Sequence, residues 1–85
     1  MTEEKVGVIA GYFSKIGVAA VNLTDGSLSV GDKILVKGST TDFQQIVSSI
    51  QIEHNAVQKA EKGKSVGIKV NDKVRSNDAV YKIVD

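Results

Sequence analysis

The chain of 85 residues has no cysteine, no proline and no tryptophan, and its aromatic residues are two tyrosines and two phenylalanines. Without cysteine there is no disulfide, no thiolate metal ligand and no sulfur nucleophile. Small secreted domains are usually stapled by disulfides, so a cysteine-free chain of this size fits a reducing, cytoplasmic compartment. The one histidine, His54, cannot build a zinc site alone. As a general base it lacks a local orienting group and a nucleophile, and beside Glu53 it reads as a solvated loop histidine. No apolar run approaches the roughly 20 residues of a membrane-spanning helix. The formal net charge of +1 gives no global field towards nucleic acid or membrane. No metal, small-molecule cofactor or catalytic residue set is expected, and the chain does not read as an enzyme.

A chain this short buries about 60–65% of its unfolded surface, enough for one thin core. Hydrophobic residues make up 41% and charged residues 25%, the composition of a folded domain. Eight glycines and the Asn and Asp residues are left to make the turns.

Short β-type runs dominate. Val6–Phe13 and Ile16–Leu23 are apolar and β-branched, with Gly7 and Gly11 marking a bend or a close backbone approach in the first. Thr24–Ser27 is an Asp-Gly turn and Val30–Lys33 a second tight turn, in which Gly31 supplies a permissive backbone and Asp32 bonds neighbouring amides. Ile34–Lys37 is a short strand. Phe43–Ile52 reads as the longest strand, with Ile46, Ile50 and Ile52 facing the core and Gln45, Ser49 and Gln51 facing out. Val47 breaks that alternation. Asn55–Gly63 carries the one helical signal: Asn55 as cap, Gln58 three residues on, and Gly63 closing the turn. Ser65–Val70 and Ala79–Val84 complete the set, with Gly67 leaving room for close packing. The expectation is an all-β fold, a small closed antiparallel β-barrel of six to seven strands with one short helical turn. It forms a single domain over residues 1–85, of which 1–5 are a polar N-terminal tail. Tyr12, Phe13 and Phe43 are expected to fill the core or cap its ends.

Charge is distributed unevenly. Lys59, Lys62, Lys64, Lys69, Lys73 and Arg75 stand in one segment against Glu61 and Asp72, a local excess that suits phosphate contacts or a solvated face. The remaining acidic residues are scattered among turns, which turn chemistry explains.

Two motifs carry a family resemblance: Gly26-Ser27-Leu28-Ser29-Val30-Gly31-Asp32-Lys33-Ile34, and the stretch Ala60 to Val70 with Gly63, Val66, Gly67 and Ile68. In their order and spacing the chain resembles the β-barrel second domain of the translation GTPases, such as elongation factor Tu, from about Val6 to Val84. There is no phosphate-binding loop, so the resemblance implies a non-catalytic, translation-associated binding module without a GTPase domain. It implies tRNA or rRNA as partner, and an aminoacyl-end pocket at the positions of Lys15, Gln51 and His54. A second reading is a protein-docking module that acts on a larger enzyme or GTPase through a barrel face or strand edge.

Overall fold

The computed structural model describes residues 2–84, and these are all β-strand, turn and loop, with no helix among them. Ten strands follow in order: β1 (Thr2–Phe13), β2 (Val18–Asn22), β3 (Leu28–Ser29), β4 (Lys33–Lys37), β5 (Asp42–Ile46), β6 (Ile50–Ile52), β7 (Asn55–Val57), β8 (Lys59–Ala60), β9 (Ser65–Lys69) and β10 (Ala79–Val84). Eight of them form one antiparallel sheet in the order β5-β4-β10-β1-β2-β9-β6-β7, and β3 with β8 makes a separate two-stranded ribbon. The side chains buried inside come from nearly every strand, including Ile9, Val21, Leu28, Ile34, Ile50 and Ile68.

The sheet is strongly curled. Gln45 on the outer strand β5 donates from Nε2 to the Lys69 carbonyl at 2.8 Å, and its Oε1 accepts the Asn71 N–H at 2.8 Å. Lys69 ends β9, five places along the sheet from β5. Only a sheet wrapped around its own core brings these two together. Where the sequence suggests a closed ring of six or seven strands, no ladder joins the outer strands β5 and β7 among the described residues. The Gln45 amide bridges part of the gap that a ladder would fill.

The bending is concentrated in β1. Its register shifts between Lys5 and Gly7 against β10, and between Ile9 and Gly11 against β2. Each bulge inserts one residue on the bent strand, which sharpens twist and turns the corner. The two glycines thus sit where the sequence suggested a bend.

Several expectations are corrected. Residues 2–5 are not a tail: Thr2 to Lys5 pair with Val84 to Tyr81, and Met1 lies outside the described residues. A polar strand is tolerated there because this part of the ribbon is exposed. The single strand Phe43–Ile52 is broken at Val47–Ser49, and the alternation inverts in its first half. Gln45 and Val47 are buried, whereas Ile46 is exposed. The Val47 N–H donates to the Asp32 carbonyl at 2.8 Å, and the Gly31 N–H donates to the Val47 carbonyl at 2.8 Å, so this break is pinned by the turn from Ser29 to Asp32. Asn55–Gly63 is not helical. Asn55–Val57 pairs with Ile50–Ile52, and Lys59–Ala60 pairs with Leu28–Ser29. Long-range pairing wins over the local capping signal, and it buries Ala60 at the expense of a one-turn helix of little intrinsic stability. Phe13 is not core but exposed, while Tyr12 and Phe43 pack partly buried against the core.

Asp32 and Gly31 serve a turn, and Gly63 serves one too, though not the end of a helix as the sequence suggests. Asp32 Oδ2 accepts the Ser29 N–H at 2.8 Å, and Gly31 takes a φ of 97°. Gly63 takes a φ of 94° as the third residue of the turn from Glu61 to Lys64, closed by the Lys64 N–H to the Glu61 carbonyl.

Candidate functional site

A groove lies on the outer face of β2, β9 and β6. Ala19, Ile68 and Ile50 form a cross-strand row and all point into the core. One residue along, Ala20, Gly67 and Gln51 form the next row, which must point out because side chains alternate between faces. The two small residues make this row a floor: Ala20 contributes one methyl group, Gly67 nothing. A side chain at position 67 would press its Cβ against Val18 Cγ1 at 3.3 Å. The result is a groove of about 390 Å³.

One wall is apolar. It comes from Val18 and from the turn joining β1 to β2, where Phe13 and Ile16 are 56% and 59% exposed. Large apolar side chains left that open mark a binding surface more readily than a packing defect. The turn is held in place: the Ile16 N–H donates to the Phe13 carbonyl, Gly17 turns with a φ of 63°, and Lys69 Nζ donates to the Ile16 carbonyl at 3.0 Å.

The opposite wall is the β6–β7 turn. Ile52 pairs with Asn55, leaving Glu53 and His54 as its two central residues at φ values of 51° and 68°. Two successive positive φ values are the pattern of a type I′ turn, which normally takes Asn-Gly. Histidine tolerates this region better than most residues; glutamate has no such excuse. Left-handed backbone costs about 1–2 kcal/mol per ordinary residue. Replacing Glu53-His54 by Asn-Gly is therefore expected to raise stability by about 1–2 kcal/mol, read as a thermal midpoint higher by roughly 5–10 °C. An unchanged midpoint would show that the turn stores no strain. Strain held beside a groove is a pointer to function.

The sequence-derived residues divide around this groove. Gln51 and His54 line it, while Lys15 lies in the β1–β2 turn and is not part of the lining. The six cations do not form one patch. Lys59 sits on β8, ion-paired with Glu61 at 3.6 Å, and Lys62 and Lys64 follow in the adjoining turn. Lys69, Lys73 and Arg75 stand at or beyond the other end of β9, about 13 Å away at 3.3 Å per residue. Lys73 and Arg75 share a smaller polar cleft of about 310 Å³ with Asp42 and Asp72, which offset their charge. Gly31, Asp32 and Gly63 serve turns, and Gly67 proves to be the groove floor. Sequence reasoning missed Phe13, Ile16, Val18 and Ala20 as site residues. The small-residue pairing of Ala20 with Gly67 depends on strand register, which no local pattern shows.

Among the described residues, no group of three or more His, Cys, Asp or Glu side chains converges as metal ligands would. Among the same residues, no helix is long and apolar enough to cross a membrane.

No family model matches the chain. It is 40% identical over 78 residues to an uncharacterized protease of Methanocaldococcus jannaschii, a match covering 91% of this chain and 19% of that protein. It is 40% identical over 84 residues to a collagenase of Porphyromonas gingivalis, covering 95% and 20% respectively. The chain thus spans about a fifth of the length of the curated relatives it matches. Among solved structures, the C-terminal domain of a U32 peptidase of Geobacillus thermoleovorans superposes with a TM-score of 0.88 at 24% identity, over 95% of this chain and 93% of that one. That likeness establishes the fold. The resemblance to elongation factor Tu is overturned by these matches, and with it the translation and RNA-binding readings; the aminoacyl-end pocket it implied at Lys15, Gln51 and His54 loses its basis. Its motifs reflect turn chemistry, since Gly31 and Asp32 do here what any such turn requires. In sequence the chain is similar to one segment of proteases and collagenases, and its fold is that of a U32 peptidase C-terminal domain.

Proposed function

We propose that this chain is a non-catalytic β-domain of a U32-type peptidase system, and that it docks polypeptide. The observation that carries this reading is the groove on β2, β9 and β6, lined by Phe13, Ile16 and Val18 over an Ala20–Gly67 floor. Its relatives act under the names protease and collagenase, and the matched segment is only a fifth of each. A chain of this size, with its one histidine on an exposed turn, is better suited to holding a substrate than to cleaving it. The curl of the sheet, completed by the Gln45 bridge in place of a ladder, makes a barrel-like body that presents the groove on a rigid wall. The cysteine-free sequence supports a reducing, cytoplasmic setting.

The test uses the purified 85-residue chain, immobilised, with gelatin and unfolded casein passed over it at low and at physiological salt. Retention of both that survives the salt, with no increase in their cleavage, is the expected outcome. Apolar contacts are little screened, whereas phosphate contacts weaken steeply with salt. Failure to retain either polypeptide would remove the docking reading. Cleavage by the chain alone would remove the non-catalytic one.

A further inference from the structure

We infer that the groove selects its polypeptide: it takes one large apolar side chain, and Glu53 takes a lysine or arginine next to it. This rests on the docking reading and names the ligand of that same groove. At about 390 Å³ the groove is within the range of small-ligand sites, and its lining is apolar with a few polar groups at the rim. A domain–domain face buries about 600–1,500 Å² of surface, whereas this groove has the volume of a site for one side chain or small ligand. The occupant is therefore a segment of an extended substrate chain and not a neighbouring domain. Gly67 lets an entering side chain reach the backbone of β9, where any residue with a Cβ would stand in the way.

Charge decides what flanks that side chain. Glu53 is exposed, lines the groove and makes no ion pair among the described residues. Its left-handed backbone in a two-residue turn holds it at the groove wall, so the carboxylate is displayed without the freedom of a loop. Lys69, whose ammonium donates to the Ile16 carbonyl, is not part of the lining. Glu53 is thus the one acidic or basic side chain, among the described Asp, Glu, Lys and Arg residues, that lines the groove. A cation on the ligand is the complement of that arrangement. Gln51, on the floor row and exposed, makes no hydrogen bond through its side chain among the described residues and is placed to bond the ligand backbone.

The experiment titrates the 85-residue chain with capped peptides containing Phe-Arg, Phe-Glu or Ala-Arg between glycines, following backbone amide shifts by NMR. Phe-Arg is expected to bind with shifts at Val18, Gly67 and Glu53. Ala-Arg should bind about tenfold more weakly, from the lost apolar burial. Phe-Glu should bind about fivefold more weakly, and Glu53→Gln should remove that charge preference. Since Glu53 is exposed, its substitution leaves the fold intact, and the amide spectrum of the free variant checks this. Equal affinity for Phe-Arg and Phe-Glu overturns the inference. So do shifts confined to Lys59–Arg75, or groove shifts produced by self-association alone. If gelatin is retained equally by Glu53→Gln and Gly67→Val, the docking reading survives while the groove assignment falls. If no polypeptide is retained at all, the docking reading itself has failed.

Discussion

Replacing Gln45 by leucine is expected to lower stability by about 2–4 kcal/mol, because it strips two backbone groups of their partners. For a chain of this length that brings the thermal midpoint down by roughly 10–25 °C. The wild-type side chain is 7% exposed, and it both donates to the Lys69 carbonyl and accepts from the Asn71 N–H. One amide thus imitates the peptide group of a missing strand. Leucine has similar bulk and is more apolar, so burial alone would favour it by a fraction of a kilocalorie; the unmet carbonyl and N–H decide the sign. Gln45→Glu separates the two bonds. Its carboxylate still accepts from Asn71, but it has no proton for the Lys69 carbonyl and its charge is buried, so at neutral pH the loss should be at least as large as leucine's. Thermal unfolding of both variants checks this. A leucine variant as stable as the wild type would mean that water satisfies both backbone groups and that the curl needs no bridge.

Gln45 also shows why part of this fold was hidden in the sequence. The isoleucines at 46, 50 and 52 set up an alternation that assigned Gln45 to solvent. Its partners lie 24 and 26 residues away, and nothing near position 45 announces them. The helical reading of Asn55–Gly63 failed for the same reason. Its cap residues are real local signals, but Ile50–Ile52 and Leu28–Ser29 compete for the same segment through pairings that only the folded chain brings together. Where the physics is local, the sequence is legible: Asp32 bonds a neighbouring amide in its turn, Gly31 takes a left-handed backbone there, and Val66, Ile68 and Val70 alternate into the core.

The candidate site follows the same division. Gln51 and His54 were singled out through a resemblance that proved wrong, yet both line the groove. This is coincidence of position, since His54 reaches the groove through a β6–β7 turn that the resemblance does not imply. The six cations were grouped by proximity along the chain, but β9 carries them to opposite ends of a strand. A basic stretch in sequence becomes a basic patch only if the backbone returns on itself, and here it runs straight. The groove went unseen because its defining feature is a pair of small residues, Ala20 and Gly67, that meet only through register.

A loss of similar size is expected at Gly7, and it is one of space rather than of backbone angle. A Cβ built there collides with the Asn22 carbonyl oxygen and lies 3.0 Å from the Asn22 carbonyl carbon. These are backbone atoms of the neighbouring strand and its exit, so no rotamer change relieves the clash. Gly7 is buried between β10 and the end of β2, directly after the first bulge. The preceding carbonyl, of Val6, accepts both the Asp25 and the Gly26 N–H, at 3.0 and 3.2 Å. Moving β1 aside to admit a methyl group would therefore loosen the β2–β3 connection as well. Gly7→Ala is expected to cost about 3 kcal/mol or more, at the upper end for overpacked sites, and to bring the midpoint down by roughly 12–24 °C. Gly11→Ala is the control. It sits at the second bulge of the same strand, where a Cβ would meet nothing within 4 Å. There the reduced freedom of the unfolded chain should leave stability unchanged or raise it by about 0.5 kcal/mol. Equal losses at both positions would show that the bulges need glycine for backbone freedom, and that close approach of β1 to β2 is not what fixes the corner. A loss at Gly7 alone ties the corner, and with it the register that aligns Ala20 with Gly67, to a single missing side chain.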